Sequence, residues 1–578
     1  MFTYNLNKKE NGYNTLSNID IEKIENMIEL LTLKNYNKEI DKILKEYQIM
    51  VAQEKHYKTT KQKHYGIFYT NYEIAYKITE EAFNYFDKDI NDTLFFEPCV
   101  GLGIFVITYL DYIEKNFNNY IIDKIINNIY IADIDNEAIS LATKLIQKFI
   151  YIKFNKDIKL KKDNIYIGDI LLDKLYNIKN IYNLYKKNIK FDLILTNPPY
   201  RNIKANKKEF SNEDYEKYRT YCSYFSKSIK RHLKYQQGTI NLYKVFMELI
   251  LELYTTNSAC IGIIIPYSIL SDKSTIKLRE TIIKYTNINK IYYLEEKSKQ
   301  FNKITQAMCF FGLKKSCNNI NDTIKLINYE NKKQFFSINF NKLKLIDTNL
   351  SFIKINNLAN QILIKIHTYK KLKELKNIKN LRGELDLTLD KKYILNNKTN
   401  FMLLQGKNIK DWFFVDNHYF VDNKFIYSKN SEKLNDIKYE RLACQQISNC
   451  NTNKRLKFVK VPKNIILANS CNYILSYDID INYLLGLFNS YLFDWRFQLF
   501  SSNNHINNYE LDDLPINICE RDRIIEYVKK ILDGNKDYIV NLNKLVFAIY
   551  GLTKNEIEEV MKNYNDLYAQ KIRESINE

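Results

Sequence analysis

Residues 95–105 read FFEPCVGLGIF and predict a strand that turns tightly into a helix. The apolar start is typical of a buried strand, and Gly101 and Gly103 permit a turn that a ligand can approach closely. Glu97, at the end of the strand, can bind an amine or a hydroxyl group. The amino end of the following helix suits a carboxylate as well as a phosphate. Two glycines in one turn are common, so other sites must decide whether this one is functional.

Acidic residues also end the next two predicted strands. Asp133, in the sequence YIADID, lies one strand–helix–strand unit after the glycine turn, where a carboxylate can accept both hydroxyl groups of a ribose. A helix cap is the alternative, and it fits Asp135 better than Asp133. Asp169 follows Gly168 at the end of the third strand and is placed to meet an adenine ring. One acidic strand end is common, whereas three in succession favour a bound nucleoside.

Strands and helices alternate from about residue 94 to residue 314. This alternation predicts a doubly wound, largely parallel sheet that binds its ligands at the carboxyl ends of the strands. Residues 176–190 and 201–238 show no clear period and are predicted to be long connections, whereas residues 18–55 predict a helical cover on the next domain. The predicted strands are 94–96, 129–132, 164–167, 191–196 and 260–265, and the predicted helices include 104–115, 137–149 and 242–254.

The most specific motif is Asn197-Pro198-Pro199-Tyr200, which directly follows the predicted strand at 191–196. The two prolines fix an extended turn that has no backbone donors, so its carbonyl groups are free to accept. The side-chain oxygen of Asn197 and the carbonyl of Pro198 can together accept both hydrogens of a planar exocyclic amine. Tyr200 offers a ring face on which a base can stack. A plain turn can use the same residues, but it does not explain the acidic strand ends upstream.

Composition and charge exclude several classes of protein. The 578 residues suffice for two or three domains, and 45% hydrophobic with 27% charged residues excludes a disordered chain. Nine cysteines without a CxxC pair disfavour both a disulfide framework and a structural zinc site. No apolar run is long enough to span a bilayer, so we expect a cytoplasmic protein that needs no membrane. We also expect that it needs no metal.

The net charge of +20 favours a polyanionic partner, although a lysine-rich solubilising surface is the alternative. Residues 331–470 hold 27 basic and 11 acidic residues and so contribute +16 of this charge. The excess is therefore concentrated outside the predicted parallel sheet.

These motifs, in this order, resemble the gamma class of S-adenosylmethionine-dependent DNA adenine-N6 methyltransferases. The resemblance covers most of residues 60–565, and its catalytic motifs are more specific than its C-terminal ones. The catalytic group comprises 66–70 (GIFYT), Glu97-Pro98 with Gly101, Gly103 and Phe105, Asp133 with Asp135, Gly168-Asp169, 197–200, 241–243 (NLY) and 263–266 (IIIP). The group similar to the specificity domain of the family comprises 404–409 (LQGKNI), 485–490 (LGLFNS) and 511–516 (LDDLPI).

The resemblance implies residues for a cofactor and for a flipped base. The cofactor is S-adenosylmethionine, and the residues implied to line its site are Tyr69, Thr70, Glu97, Pro98, Gly101, Gly103, Asp133 and Asp169. The implied catalytic residues are Asn197, Pro198, Pro199 and Tyr200. Phe301 is either a second aromatic side chain against the base or a core residue. Two departures from the family pattern, Asn71 for proline and Glu97 for aspartate, remove no group that the reaction needs.

The implied fold is an α/β, Rossmann-like methyltransferase domain with a doubly wound sheet, followed by an α+β target-recognition domain and a helical C-terminus. The boundaries are 1–60 for an N-terminal helical segment, 61–330 for the methyltransferase domain, 331–520 for the recognition domain and 521–578 for the C-terminal helical segment. The recognition domain is expected to bind double-stranded DNA. Its candidate residues are Lys454, Arg455 and Lys457 for phosphates, and Gln445 and Gln446 for adenine edges, although surface glutamines are usually only solvated.

The implied reaction transfers a methyl group to N6 of an adenine that has flipped out of the duplex. Methylation of RNA or of a protein glutamine amide can use a similar loop, but neither explains the basic region at 331–470. An inert DNA-binding protein of the same fold is a further alternative, and the intact Asn197 and Asp133 argue against it. We expect a monomer, because catalysis and recognition share one chain. It acts alone or with a separate restriction endonuclease.

Overall fold

A computed structural model gives the fold of this chain. It describes residues 18–56, 59–60, 68–171, 189–295, 307–316, 323–338, 340–416, 418–428, 432–449, 452–501 and 504–577. The chain divides into two compact units, Met1–Phe340 and Asn341–Glu578. The sequence placed the end of the methyltransferase domain at residue 330. The first unit extends further because a pair of strands, Ile324–Asn328 and Gln334–Ile338, still belongs to its sheet.

The first unit contains one large sheet, and its helices alternate with the strands along the chain. Its helices are α1 Asn18–Glu29, α2 Tyr36–Gln53, α3 Tyr72–Phe83, α4 Ile104–Asn116, α5 Ile122–Asn127, α6 Asn136–Phe154, α7 Asn212–His232, α8 Leu242–Leu249 and α9 Ile276–Tyr285. Its strands are β1 Lys55–His56, β2 Thr59–Thr60, β3 Phe95–Glu97, β4 Ile129–Asp133, β5 Ile165–Ile167, β6 Phe191–Thr196, β7 Thr255–Pro266, β8 Thr286–Asn287, β9 Lys290–Leu294, β10 Met308–Lys315, β11 Ile324–Asn328 and β12 Gln334–Ile338.

The sheet has the order β12-β11-β9-β10-β7-β6-β3-β4-β5, with β8 paired to β10. The five strands from β7 to β5 are parallel neighbours, and β10 runs antiparallel to both β7 and β9. The predicted α/β class with a doubly wound, largely parallel sheet is therefore confirmed. The strand order reverses between β3 and β6, and a crevice at the carboxyl ends of such strands is where sheets of this kind bind ligands.

The two N-terminal helices share the hydrophobic core of this sheet. Ile24 and Ile28 of α1 and Ile40, Tyr47 and Val51 of α2 are buried in the same cluster as the helices that follow β3 and β4. The predicted helical stretch at 18–55 is thus two helices, separated at residues 30–35. In the first unit these helices are part of the core rather than a separate body.

Residues 201–238 differ from the sequence prediction, because they contain the 21-residue helix α7 instead of an irregular connection. Ser211 caps the helix by accepting a hydrogen bond from the backbone N–H of Asp214. The side chains that α7 buries are Tyr218, Cys222, Phe225 and Ile229. These positions have helical spacing, but a tyrosine and a cysteine among them conceal the apolar period. Most of the other predicted connection, 176–190, lies outside the described residues, which omit 172–188.

The second unit is an α+β structure with a helical C-terminus, as the sequence predicts. Its strands are β13 Ile378–Arg382, β14 Ile394–Leu395, β15 Phe401–Leu404, β16 Phe420–Val421, β17 Arg441–Gln445, β18 Phe458–Val461, β19 Ile465–Leu467 and β20 Cys471–Ser476. Its helices are α10 Phe340–Ile346, α11 Asn357–Ile366, α12 Lys424–Ser428, α13 Ile481–Phe488, α14 Tyr491–Phe500, α15 Asn508–Asp512, α16 Arg521–Leu532, α17 Tyr538–Ile549, α18 Lys554–Met561 and α19 Leu567–Asn577.

Two four-stranded sheets organise the β part of the second unit. The first has the antiparallel order β13-β20-β17-β18, and the second has the order β14-β16-β15-β19, in which β15 and β19 are parallel. A buried ion pair between Arg441 and Glu384 supports this region, and Arg441 also donates to the carbonyl oxygen of Ile465 at 2.6 Å. None of the helices in the described parts of the chain has the length and apolar composition that crossing a membrane requires.

Candidate active site

The glycine turn after β3 is fixed by backbone geometry that favours glycine. Gly101 and Gly103 have φ angles of +51° and +82°, which L side chains rarely adopt. A Cβ atom on Gly101 would lie 2.9 Å from Cε1 of Tyr69, and one on Gly103 would lie 2.8 Å from Cδ1 of Ile146. The two glycines therefore let the Tyr69 ring and helix α6 pack directly against the turn.

Asp133, at the end of β4, holds the glycine turn in place. One carboxylate oxygen accepts from the backbone N–H of Gly101 at 2.9 Å, and the other accepts from the N–H of Asp135 at 3.0 Å. Burial raises the pKa of Asp133 to about 6, and the nearby Asp135 carboxylate adds to this effect. Each carboxylate oxygen has a further lone pair, so Asp133 can accept from a ligand while it holds the turn.

Asp135 and Asp169 occupy the starts of helical turns. Asp135 caps α6, since its carboxylate accepts from the backbone N–H groups of Glu137 and Ala138. This is the cap that the sequence offered as the alternative reading for Asp135. Asp169 accepts from the N–H of Leu171 at 3.0 Å, and the N–H of Gly168 donates to the carbonyl oxygen of Asp133 at 2.9 Å. The ends of β4 and β5 are therefore joined.

Glu97 is buried at the end of β3, at the start of the glycine turn. Its carboxylate accepts from the backbone N–H of Val106 at 3.2 Å, in the first turn of α4. Burial raises the pKa of Glu97 well above its usual value, and the charge of Asp133 adds to the increase. Pro98 is also buried.

The side chain of Asn197, at the end of β6, has one fixed orientation. Its amino group donates to the carbonyl oxygen of Phe68 at 2.8 Å and to Oγ1 of Thr70 at 2.9 Å. A carbonyl oxygen can only accept, so the atom that faces Phe68 must be the amino nitrogen. The amide oxygen of Asn197 therefore points the other way, toward Tyr200, and is available as an acceptor.

Tyr200 closes the loop over this acceptor. Its hydroxyl lies within hydrogen-bonding reach of Oδ1 of Asn197 and of the carbonyl oxygen of Ile264, which is 3.1 Å away. Its ring is stacked on that of Phe68, with 5.8 Å between the ring centroids and 16° between the planes. Burial raises the pKa of Tyr200 well above its usual value, so this hydroxyl is a donor. Pro198 is buried and Pro199 is partly buried.

The structure joins most of the residues that the sequence selected into one site. Asn197 contacts Thr70, the Tyr69 ring packs on Gly101, and Gly101 donates to Asp133. Because β3 and β6 are adjacent parallel strands, the glycine turn and the catalytic loop also follow neighbouring strand ends. Phe301 lies outside the described residues.

Two contributors to this site were not selected from the sequence. The carbonyl group of Phe68 belongs to the backbone, so no residue type marks it in the sequence. Tyr47, whose ring meets that of Tyr69 edge-on, lies in the stretch 18–55 that was predicted to be a helical cover. No feature of the sequence pairs Phe68 with Asn197, which is 129 residues away.

The DNA-binding candidates of the second unit fall into different environments. Lys454 forms an ion pair with Asp411 at 3.0 Å, and Lys457, Gln445 and Gln446 are partly exposed. Arg455 is only 1% exposed, so its assignment to a DNA phosphate is wrong.

Arg455 instead serves the interior of the second unit. Its guanidinium group donates to the carbonyl oxygen of Ser501 at 2.9 Å and lies over the ring of Phe497. A guanidinium group held in this way cannot reach a phosphate on the surface.

Residues 127–301 match the model of the Eco57I restriction-modification methylase family. The matched range contains Asp133, Asp169 and the Asn197–Tyr200 loop. No curated protein matches this sequence at a significant level.

Several solved structures are similar to this chain at low identity. A nuclease-deletion mutant of the Type ISP restriction-modification enzyme LlaGI in complex with a DNA substrate mimic has 14% identity and a TM-score of 0.49, over 86% of this chain and 48% of that one. The Type IIL restriction-modification enzyme MmeI in complex with DNA has 13% identity and a TM-score of 0.45, over 87% of this chain and 76% of that one.

A modification subunit of a putative type I restriction enzyme from Vibrio vulnificus YJ016 has 16% identity and a TM-score of 0.34, over 52% of this chain. The match covers 55% of that subunit, so this chain spans about half of its length.

Proposed function

We propose that this protein is a site-specific DNA methyltransferase that transfers a methyl group from S-adenosylmethionine to N6 of an adenine in double-stranded DNA. The observation that carries the proposal is the orientation of Asn197. Its amide oxygen is held toward Tyr200 as an acceptor because its amino group is committed to Phe68 and Thr70. The match of residues 127–301 to a restriction-modification methylase family supports the same reaction.

The residues at the carboxyl edge of the sheet fit the proposed cofactor. The glycine turn packs without Cβ atoms against the Tyr69 ring and helix α6, and the carboxylate of Asp133 keeps lone pairs for ribose hydroxyl groups. Tyr69, Thr70, Glu97, Pro98, Gly101, Gly103 and Asp169 are the other residues that we assign to this site. When bound, S-adenosylmethionine supplies an electrophilic methyl group on a sulfonium.

The chain contributes position and polarity to the target amine. Oδ1 of Asn197 and the carbonyl oxygen of Pro198 each accept one N6 hydrogen, which holds the amine in one orientation. These two bonds draw the nitrogen lone pair out of conjugation with the ring, so that it can attack a methyl carbon. As the new N–C bond forms, the bond between the methyl carbon and the sulfonium sulfur would break and leave a neutral thioether, and the methylated nitrogen would release one proton to solvent water.

The Tyr200 hydroxyl and this amine would share one acceptor. In the structure that hydroxyl occupies one lone pair of Oδ1 of Asn197, and the second lone pair remains for the amine. A flipped adenine pays a few kcal/mol to leave the duplex, and it regains part of this energy by bonding to Asn197 and stacking on Tyr200. Phe301 is retained as the candidate for the opposite face of the base.

The substrate is proposed to be DNA because of the charge of residues 331–470, which lie in the region 331–520 to which we assign target recognition. Within this region Lys454 and Lys457 remain candidates for phosphate contacts, and Gln445 and Gln446 for base edges. The protein is proposed to act as a monomer in the cytoplasm, alone or beside a separate restriction endonuclease.

In the test, the purified protein is incubated with labelled S-adenosylmethionine and, in parallel, with DNA that lacks adenine methylation, with total RNA or with a protein extract. We expect label in DNA as N6-methyladenine. Asn197→Ala should lower the rate by about 10²- to 10³-fold, which is typical for loss of one preorganised polar contact to the reacting group. Asn116→Ala is the matched control, because Asn116 is exposed at the end of α4, where its side chain donates to the carbonyl of Tyr112.

Three other results would contradict this proposal. Label in RNA or in a glutamine side chain would replace the substrate, and label in cytosine would replace the base. A protein that binds DNA but neither binds S-adenosylmethionine nor transfers label would be an inert member of the fold.

A further inference from the structure

We propose that Tyr47, on helix α2, is a cofactor-binding residue whose hydroxyl group forms a hydrogen bond with the ribose of S-adenosylmethionine. This inference rests on the proposed function and extends it to the N-terminal helices, which the sequence assigned only to packing. It makes those helices part of the binding site.

The first observation is a buried hydroxyl without a partner. Tyr47 is 0% exposed, and its hydroxyl oxygen has no hydrogen-bond partner among the described residues. A buried polar group without a partner costs about 1–3 kcal/mol, and folded proteins leave few such groups. Phenylalanine would fill the same stripe of α2 without this cost. A ligand that arrives after folding explains why a hydroxyl group is present.

The second observation is the position of the side chain. The Tyr47 ring meets the ring of Tyr69 edge-on, with 5.7 Å between centroids and 78° between planes. Tyr69 in turn packs against Gly101 in the glycine turn. Helix α2 therefore reaches the carboxyl edge of the sheet through Tyr47, at the site assigned to the cofactor.

The third observation is the charge around the hydroxyl. Besides burial, the carboxylates of Asp135, Glu137 and Asp133 raise the pKa of Tyr47. The hydroxyl therefore remains protonated and can donate a hydrogen bond. Asp133 is the residue that we assign to the ribose, and a ribose hydroxyl can both accept from Tyr47 and donate to a carboxylate. The contact with Tyr69 and the influence of these carboxylates together point to the ribose as the partner of the Tyr47 hydroxyl.

Tyr109 provides a matched control within the same unit. It is also 0% exposed, and its hydroxyl also lacks a partner among the described residues. Its ring is stacked on Phe95 at 4.4 Å, and the carboxylate that influences it is Asp192, at the amino end of β6. Tyr109 is therefore as buried as Tyr47, and its hydroxyl likewise lacks a hydrogen-bond partner among the described residues, but it lies toward the opposite edge of the sheet.

The experiment measures S-adenosylmethionine affinity by calorimetry and thermal unfolding without ligand for the wild type, Tyr47→Phe and Tyr109→Phe. Tyr47→Phe should weaken binding by about 3- to 10-fold, the loss expected for one hydrogen bond. Its unfolding temperature without ligand should be no lower than that of the wild type, because no hydrogen bond of the protein is lost. Tyr109→Phe should leave the affinity unchanged.

The outcomes separate this inference from the proposed function. If the wild type binds S-adenosylmethionine and Tyr47→Phe binds it equally well, the inference is wrong and the proposed function stands. If Tyr47→Phe weakens binding and also lowers the unfolding temperature without ligand, the affinity is lost through weaker packing. Tyr47 is then a packing residue and the inference is again wrong. If the wild type does not bind S-adenosylmethionine, both fall.

Discussion

The carboxyl edge of the first unit and the segment 445–457 of the second unit use polar side chains in opposite ways. At the edge, Asp133 accepts from backbone N–H groups and keeps lone pairs for a ligand. In the segment, Arg455 is turned inward onto the carbonyl oxygen of Ser501. A carboxylate can hold its own turn and still serve a ligand, whereas a buried guanidinium group is committed to the fold. A charged side chain thus indicates a ligand site in one region and internal support in the other.

The largest expected effect tests the claim that the glycine turn is built around a ligand. Gly101→Ala places a Cβ atom 2.9 Å from the Tyr69 ring in a strained backbone conformation. Strain and collision each cost about 1–3 kcal/mol, so S-adenosylmethionine affinity should fall by about 100-fold or more. Calorimetry with S-adenosylmethionine measures this loss.

Gly551→Ala separates the strain from the collision. Gly551 has a φ angle of +66°, but a Cβ atom there would meet nothing within 4 Å. This variant should lose stability and keep the wild-type affinity. Equal affinities for the Gly101→Ala variant and the wild type would mean that the turn does not hold the cofactor.

The second effect concerns the two kinds of cation in the segment 445–457. Arg455→Met removes the donor from the carbonyl oxygens of Ser501 and Ser448, which lie 2.9 and 3.4 Å from it. An orphaned buried carbonyl costs about 1–3 kcal/mol, so the free energy of unfolding should fall by at least about 2 kcal/mol. Urea denaturation measures the change.

Lys457→Met is the surface counterpart of this variant. Its free energy of unfolding should stay within about 0.5 kcal/mol of the wild type. If Lys457 neutralises a phosphate, the slope of log affinity for DNA against log salt should become shallower by about 0.9. A stable Arg455→Met protein with the shallower slope would reverse our assignments of the two residues.

The smallest effect is the pH dependence that Asp133 should give to cofactor binding. Its pKa of about 6 lies above the value of about 3.9 in an unfolded chain, so the folded protein holds this proton more tightly. Asp133 therefore lowers the free energy of unfolding as pH rises from about 4 to 6. Ribose hydroxyl groups donate to the ionised form. The dissociation constant of S-adenosylmethionine should thus rise by up to about fivefold between pH 6 and pH 5.

Asp133→Asn tests the origin of this step. An asparagine oxygen can still accept from the N–H of Gly101, but its amino group cannot accept from the N–H of Asp135, so the ionisation is lost together with one backbone contact. The affinity of this variant should be lower at pH 7 and should not vary between pH 5 and 7. A step that persists in the variant would assign the titration to another group, of which Glu97 is the nearest candidate.

Local signals explain which parts of the molecule were predictable from the sequence. Strand β6 was predicted with the bounds that the structure gives it, because a largely apolar run is followed by Asn197 and then two prolines. Helix α7 was missed because Tyr218 and Cys222 conceal its buried face. The burial of Arg455 could not be predicted, because a charged side chain carries no local sign of the carbonyl groups that it will meet.

The anchoring of Asn197 has a consequence for how two ligands would influence each other. The same residues that precede α3, Phe68 and Thr70, fix the amide that we propose as the acceptor of the base, and they adjoin Tyr69 on the glycine turn. A cofactor that restrains this segment would also restrain the amide, so part of the ordering entropy for the second ligand would already be spent. Thermodynamic linkage then requires reciprocity. Whatever factor the cofactor adds to the affinity for the extruded base, the base must add to the affinity for the cofactor.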